Sequence, residues 1–291
     1  MGAFRFGVSF RSTGDRQHWI AACRRAEELG YAEIAVPDHL GAPAPFPALA
    51  VAGAVTDHPR LVPFVLNAAF YNPALLARDI VTTSELTGHR LDIGIGAGHM
   101  KAEFDKAGLP WQPAAERIAR LERTIDELRD LLAADLPEPP GLTIGGNSEA
   151  VLALAARKAD VIAFSGATQI AGRPPGTFTL VPPEELTRAI TRVTSAAKEH
   201  EGRTVEANML VQDVRLAEST RSAIAEWRGP LSLTGFTDEQ FATAPQLLGG
   251  TVSEIVDRLE ALRAECGLSS FTVFDSAMED FAPVVRALAG R

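Results

Sequence analysis

Ala32-Glu33-Ile34-Ala35-Val36-Pro37-Asp38-His39-Leu40 is a short apolar run that stops at an Asp-His pair, with Gly41 and several prolines just beyond. A buried strand that ends in two ionisable side chains at a loop is how parallel α/β enzymes bring reactive groups to the carboxyl edge of a sheet. Two later stretches repeat the design: Leu91-Asp92-Ile93-Gly94-Ile95-Gly96-Ala97-Gly98-His99 and Leu142-Thr143-Ile144-Gly145-Gly146-Asn147-Ser148. Each reads as apolar strand, glycine-rich turn, polar group. Three strands aiming function at one face predict an enzyme.

Working outward, strand-like and helix-like runs alternate along the chain, the signature of a parallel sheet with crossover helices. Strands are expected at 4–10, 33–36, 61–67, 91–95, 142–144, 160–164, 205–214 and 271–274. Helices are expected at 15–29, 46–56, 73–86, 114–133, 148–158, 183–200, 252–266 and 280–289, with a further helical piece near 219–228. Eight strands with eight principal helices predict an α/β fold, a (β/α)₈ barrel in one domain over 1–291. An open doubly wound sheet is the rival, weaker because nothing marks a second domain. The stretch 165–182 follows the sixth strand as a Gly- and Pro-rich loop, and 218–250 follows the seventh as a helical piece and an irregular run. Insertions of this length are lids or substrate walls, or disordered.

The 291 residues carry a net charge of −9, and no basic stripe is visible to meet a phosphate backbone, which excludes a general nucleic-acid surface. No apolar run is long enough to span a bilayer, and the start, Met1-Gly2-Ala3-Phe4-Arg5, lacks a signal-peptide core and a myristoylation pattern, so a cytoplasmic protein without a membrane partner is expected. Cys23 and Cys266 sit in separate helix patterns and read as buried inert thiols.

Gly94-Ile95-Gly96-Ala97-Gly98 is not a dinucleotide fingerprint, because its third glycine falls one place too early. It reads equally as a tight turn or as backbone that lets a planar ligand lie close. Gly145-Gly146-Asn147-Ser148 opens a helix, where Asn147 or Ser148 caps and the amide dipoles suit a phosphate, although an ordinary capped helix explains it as well. His39 and His99, both at strand ends, are the candidate acid/base groups. His18, His58, His89 and His200 read as surface residues. No metal-ligand cluster is visible.

Together these residues resemble the bacterial-luciferase-like superfamily, in its branch using the deazaflavin coenzyme F420. The likeness runs through Ala26-Glu27-Glu28-Leu29-Gly30-Tyr31, Pro37-Asp38-His39-Leu40, Tyr71-Asn72-Pro73-Ala74-Leu75-Leu76-Ala77, Gly94 to Gly98, Ile144-Gly145-Gly146, Ala155-Ala156-Arg157-Lys158-Ala159-Asp160 and Leu248-Gly249-Gly250-Thr251. The end, Val273-Phe274-Asp275-Ser276-Ala277-Met278-Glu279, resembles a subgroup of F420-dependent oxidoreductases. The resemblance implies a barrel with the cofactor ring across its carboxyl mouth, over a bulge near Pro63-Phe64-Val65 that holds a non-proline cis peptide. It maps the family histidine onto His39 and the phosphate turn onto Gly145 and Gly146. Asp38, Phe64, Val65, Asn67, Ala97, Gly98, Asn147, Ser165 and Gly166 complete the implied cofactor site. Some relatives have a glutamate where this chain has His99, and the usual Ser-Gly-Gly-Arg reads Thr87-Gly88-His89-Arg90. Arg11, Lys101 and Arg173 are the loop cations available to an anionic tail. The implied function is F420-dependent hydride transfer to or from a small organic substrate by a homodimer. An FMN-dependent monooxygenase and a non-catalytic flavin-binding barrel are the alternatives.

Overall fold

A computed structural model describes residues 3–170, 172–173, 177–200 and 202–291. The reading of Met1 and Gly2, and part of the expected 165–182 loop, lie outside the described residues. The strands are β1 Arg5–Ser9, β2 Glu33–Val36, β3 Arg60–Pro63, β4 Leu66–Asn67, β5 Ile93–Gly96, β6 Leu142–Gly145, β7 Val161–Phe164, β8 Ala167–Gln169, β9 Phe178–Leu180, β10 Glu206–Leu210, β11 Asp213–Leu216, β12 Leu247–Gly250 and β13 Ser270–Phe274. The helices are α1 Arg16–Glu28, α2 Pro45–Val55, α3 Pro73–Leu86, α4 Lys101–Ala107, α5 Ala114–Asp135, α6 Glu149–Lys158, α7 Pro183–Glu199, α8 Thr220–Trp227, α9 Asp238–Thr243, α10 Val252–Cys266 and α11 Met278–Leu288.

Nine strands form one parallel sheet in the order β3-β2-β1-β13-β10-β7-β6-β5-β4. The Leu61–Leu91 bridge brings its ends together, with Asp92 N–H donating to Leu61 O at 2.9 Å. The result is the expected (β/α)₈ barrel, its third strand in two pieces. The expected strand 61–67 breaks because the chain changes partner. Pro63 still pairs with Val36 and Phe64 N–H donates to Val36 O, whereas Leu66 and Asn67 pair with Ile95 and Gly96. Between them the Phe64–Val65 peptide is cis, as the resemblance implied.

Local chemistry sets the helix ends. Asp15 accepts His18 N–H at the start of α1, and Trp19, Cys23 and Ala26 then fall on its buried face. Pro73 opens α3 behind an Asn72 cap, and a Thr251/Glu254 capping box opens α10. Strand residues such as Val8, Ile34, Ile95, Ile144, Ile162 and Val273 are fully buried against helix residues such as Leu76, Ile80, Leu121 and Phe281. Each side chain of this kind contributes ~1.5–3 kcal/mol.

Three expectations need correction. The 165–182 loop contains an antiparallel hairpin, β8–β9. The expected strand 205–214 ends at Leu210, and β11 leaves the barrel to pair with β12, so the supposedly irregular stretch holds α9 and β12. These insertions share a small core of Leu180, Ile224, Trp227, Phe241 and Leu247. Finally, 101–107 is a helix where none was expected.

Candidate active site

Every barrel strand delivers its carboxyl end to one mouth, and the sequence candidates meet there. Asp38 and His39 follow β2, Asn67 ends β4, Ala97 to His99 follow β5, Gly145 to Asn147 end β6, and Ser165 follows β7. Asp38 is buried, and its Oδ2 accepts Asn67 N–H at 2.9 Å. It takes the amide of the residue where the third strand changes partner, so its first role is to hold that break in place. Burial pushes its carboxyl up, against the lowering effects of the Asn67 amide and the Tyr71 hydroxyl.

Gly94 and Gly96 lie inside β5 rather than in a turn, which corrects the turn reading; the turn comes at Gly98, with φ of +73°. A Cβ on Gly94 would overlap the Pro63 carbonyl oxygen. On Gly96 or Gly145 it would stand 3.1 or 3.0 Å from a Val65 methyl. These two glycines pair in register across β5 and β6, so they form a side-chain-free floor into which Val65 fits. Gly98 packs against the Asn67 amide, leaving no room for a side chain.

His39 and His99 stand with ring centroids 5.7 Å apart, nearly perpendicular. Phe178, from the hairpin, meets the other side of His99 at 5.9 Å. Glu103 Oε1 lies 2.9 Å from His39 Nδ1 and accepts Leu40 N–H at 3.1 Å. Neighbouring atoms crowd His99 although the residue keeps solvent access. This partial burial, reinforced by His39 and Arg117, holds its imidazole below the ordinary value against the opposing pull of Glu103.

At the Gly145–Ser148 turn, Ser148 rather than Asn147 caps α6, accepting Val151 N–H. Asn147 instead donates to Ser165 Oγ and Ala167 O, both at 2.7 Å, and so braces the hairpin. Gly166 sits beneath fully buried Gln246, which donates to Gly166 O and Val181 O and clasps the hairpin's base. Of the loop cations, Lys101 pairs with Asp105, and Arg11 stacks on Phe274 near Asp275. Arg173 is exposed on the hairpin turn. His18, His58, His89 and His200 are exposed and both cysteines buried, as expected; burial pushes the Cys23 thiol up to about 12.

Glu103 was missed by the sequence reading, as were the aromatic residues around it. Its signals were the Lys101/Asp105 spacing and Gly108, whose φ of +70° ends α4. The floor of Gly96 and Gly145 under Val65, the first-turn amides of α6 and the adjacent imidazoles fit a flat, anionic, redox-active ring cofactor: strand ends without side chains, donors for a phosphate and proton carriers beside them.

A family model described as luciferase-like monooxygenase matches residues 3–269. The F420-dependent glucose-6-phosphate dehydrogenase of Kribbella flavida is 36% identical over 116 residues, which are 37% of this chain and 35% of that protein. The chain thus matches about a third of the length of such curated relatives. A solved F420-dependent secondary alcohol dehydrogenase, in complex with an F420-acetone adduct, superposes with TM-score 0.75 at 16% identity, covering 99% of both chains. EDTA monooxygenase from a Chelativorans species gives TM-score 0.76 at 15% identity, covering 99% of this chain and 93% of that one. At these identities the structural likeness is one of fold.

Proposed function

The chain belongs to the luciferase-like monooxygenase family, and on that premise we propose that it is an F420-dependent oxidoreductase moving a hydride between the deazaflavin and a small organic substrate. The observation that carries this reading is the pair of imidazoles, 5.7 Å apart, beside the glycine floor at the barrel mouth. Similarity to the Kribbella flavida dehydrogenase supports the choice of F420. Bound F420 would supply a hydride donor or acceptor at C5, where carbon replaces the reactive nitrogen of a flavin.

Phe64, Val65, Asn67, Ala97 and Gly98 would hold the ring, and Gly145, Gly146 and the start of α6 the phosphate. Asp38 keeps Asn67 in place, and Asn147 with Ser165 and Gly166 fixes the hairpin over the mouth. A hydride entering a C=O, C=N or C=C bond must be matched by a proton at the neighbouring atom, and His39 or His99 carries it, in either direction. Phe178 walls the space above His99.

The working form we propose is a homodimer. Its support is α2, which is apolar on all sides, with Val51 39% exposed on its outer face and Leu75 of neighbouring α3 54% exposed. Sedimentation should show a dimer that Val51→Glu with Leu75→Glu dissociates. Among the described residues no helix is long and apolar enough to cross a membrane.

The activity is tested by mixing reduced F420, protein and a panel of ketones, imines and conjugated alkenes without oxygen. Oxidation of F420 with at least one substrate class is expected. Reaction only with reduced FMN and oxygen would replace this reading with the monooxygenase one.

A further inference from the structure

We propose that Glu103 is the positioning residue of this site: it holds the His39 imidazole with Nδ1–H against its carboxylate, which leaves Nε2 as the atom that exchanges the proton with substrate. The catalytic consequence rests on the oxidoreductase reading above; the tautomer does not.

An ionised carboxylate oxygen only accepts, so in the 2.9 Å contact His39 Nδ1 is the donor. The same oxygen accepts Leu40 N–H, tying two successive residues of the loop after β2 to one atom. The Glu103 side chain is only 12% exposed, whereas that of His39 is 40% exposed, so the pair has a sheltered anchor and an accessible ring. The helix carrying Glu103 is itself pinned. Fully buried Phe104 packs on Trp111 at 4.9 Å and Phe70 at 5.9 Å. Arg117 stacks on Trp111 at 3.8 Å and donates to Gly98 O, joining the His99 loop to the same support.

This arrangement distinguishes two histidines that the sequence leaves equivalent. Neighbouring imidazoles oppose each other's protonation, so one must be preferred. Glu103 Oε1 is hydrogen-bonded to His39, while crowding and Arg117 disfavour charge on His99. Bound oxidised F420 would take the hydride of an alcohol carbon, and the role of His39 Nε2 would be to accept the hydroxyl proton as the carbonyl forms. In the reverse direction the imidazolium returns that proton to the oxygen as hydride reaches the carbon.

The tautomer is read by nitrogen NMR of ¹⁵N-histidine-labelled protein without cofactor, so failure of the F420 reading leaves this arm intact. His39 should be Nδ1–H in the wild type and in Glu103→Gln, whose amide oxygen accepts the same bonds. In Glu103→Ala the Nε2–H form should gain population, with the His99 tautomer unchanged. An Nε2–H wild-type ring, or one unaffected by Glu103→Ala, overturns the proposal. With F420 and a turned-over substrate, Glu103→Ala should lower kcat at least ~10-fold while the Kd for F420 stays within about twofold. Wild-type kcat in that variant would also overturn it.

Discussion

The two ends of the barrel both gather ionisable groups, and they treat them oppositely. At the amino end Arg5 lies 3.1 Å from both Glu33 and Glu206, Arg60 grips Asp92, and Asp92 also accepts Gly141 N–H. Charge there is matched by opposite charge, and Glu33 is buried. At the carboxyl end two imidazoles face each other, both with access to solvent, beside strand glycines covered only by Val65 and the Pro63 carbonyl. The base uses its charges to hold strands together; the mouth keeps its charges available. The same separation of stability from chemistry is the general habit of parallel barrels.

The largest expected effect breaks the mouth and spares the base. His39→Ala should lower turnover by ~10²–10⁴, the usual cost of losing a positioned acid or base. Urea unfolding should change by less than ~1 kcal/mol, because the ring is accessible and not packed in the core. His99→Ala should cost less in rate than the His39 variant, and a larger loss there would reverse the assignment. Arg5→Ala does the converse. It leaves Glu33 buried without its partner and should cost about 3 kcal/mol in urea unfolding, at the low end for such pairs because Arg5 is partly exposed. F420 affinity of the folded variant should be unchanged.

Next in size is the floor between the two ends. Gly94→Ala drives a methyl into the Pro63 carbonyl and should destabilise by ~1–3 kcal/mol. Gly145→Ala meets the Val65 side chain rather than backbone, so its stability loss should be smaller and its effect on F420 binding greater. Equal effects of the two substitutions on binding would remove the special role given to the glycine floor.

The smallest effect is in pH, and the two ends should give slopes of opposite sign. His99 is held below its ordinary 6.5 by partial burial, so its contribution is whole above 6.5 and is lost as pH falls toward its native value. Wild-type stability relative to His99→Gln should therefore decline on acidification. Glu33 is raised above its ordinary 4.5 by burial, so its contribution is whole below 4.5 and is lost as pH rises through its native value. Relative to Glu33→Gln, wild type should lose stability in that direction. Urea titrations at several pH values check both.

Much of this contrast is legible in the sequence. Period and caps fix most barrel elements: 33–36, 73–86 and 252–266 are read to the residue, because Pro73, Asn72, Thr251 and Gly267 signal locally. Asp38, His39, His99 and the glycines are legible as candidates because strand ends in such folds carry function. The elements that escape depend on distant partners. The split at Pro63–Leu66 follows from β2 and β5 competing for one strand. The hairpin is a Gly- and Pro-rich stretch fastened by Gln246, 80 residues beyond Gly166. Glu103 becomes informative only when α4 folds back on the loop after β2, a contact spanning 64 positions.

The central claim, that the mouth is built for a deazaflavin, is tested most directly by equilibrium titration of the purified protein with oxidised F420 and with FMN at low salt, repeated as salt rises. F420 should bind more tightly than FMN, and its affinity should weaken with salt as screening reduces attraction of its anionic tail to the α6 start and Arg173. Tight FMN binding with oxygen consumption, and no measurable F420 binding at low salt, would contradict the account.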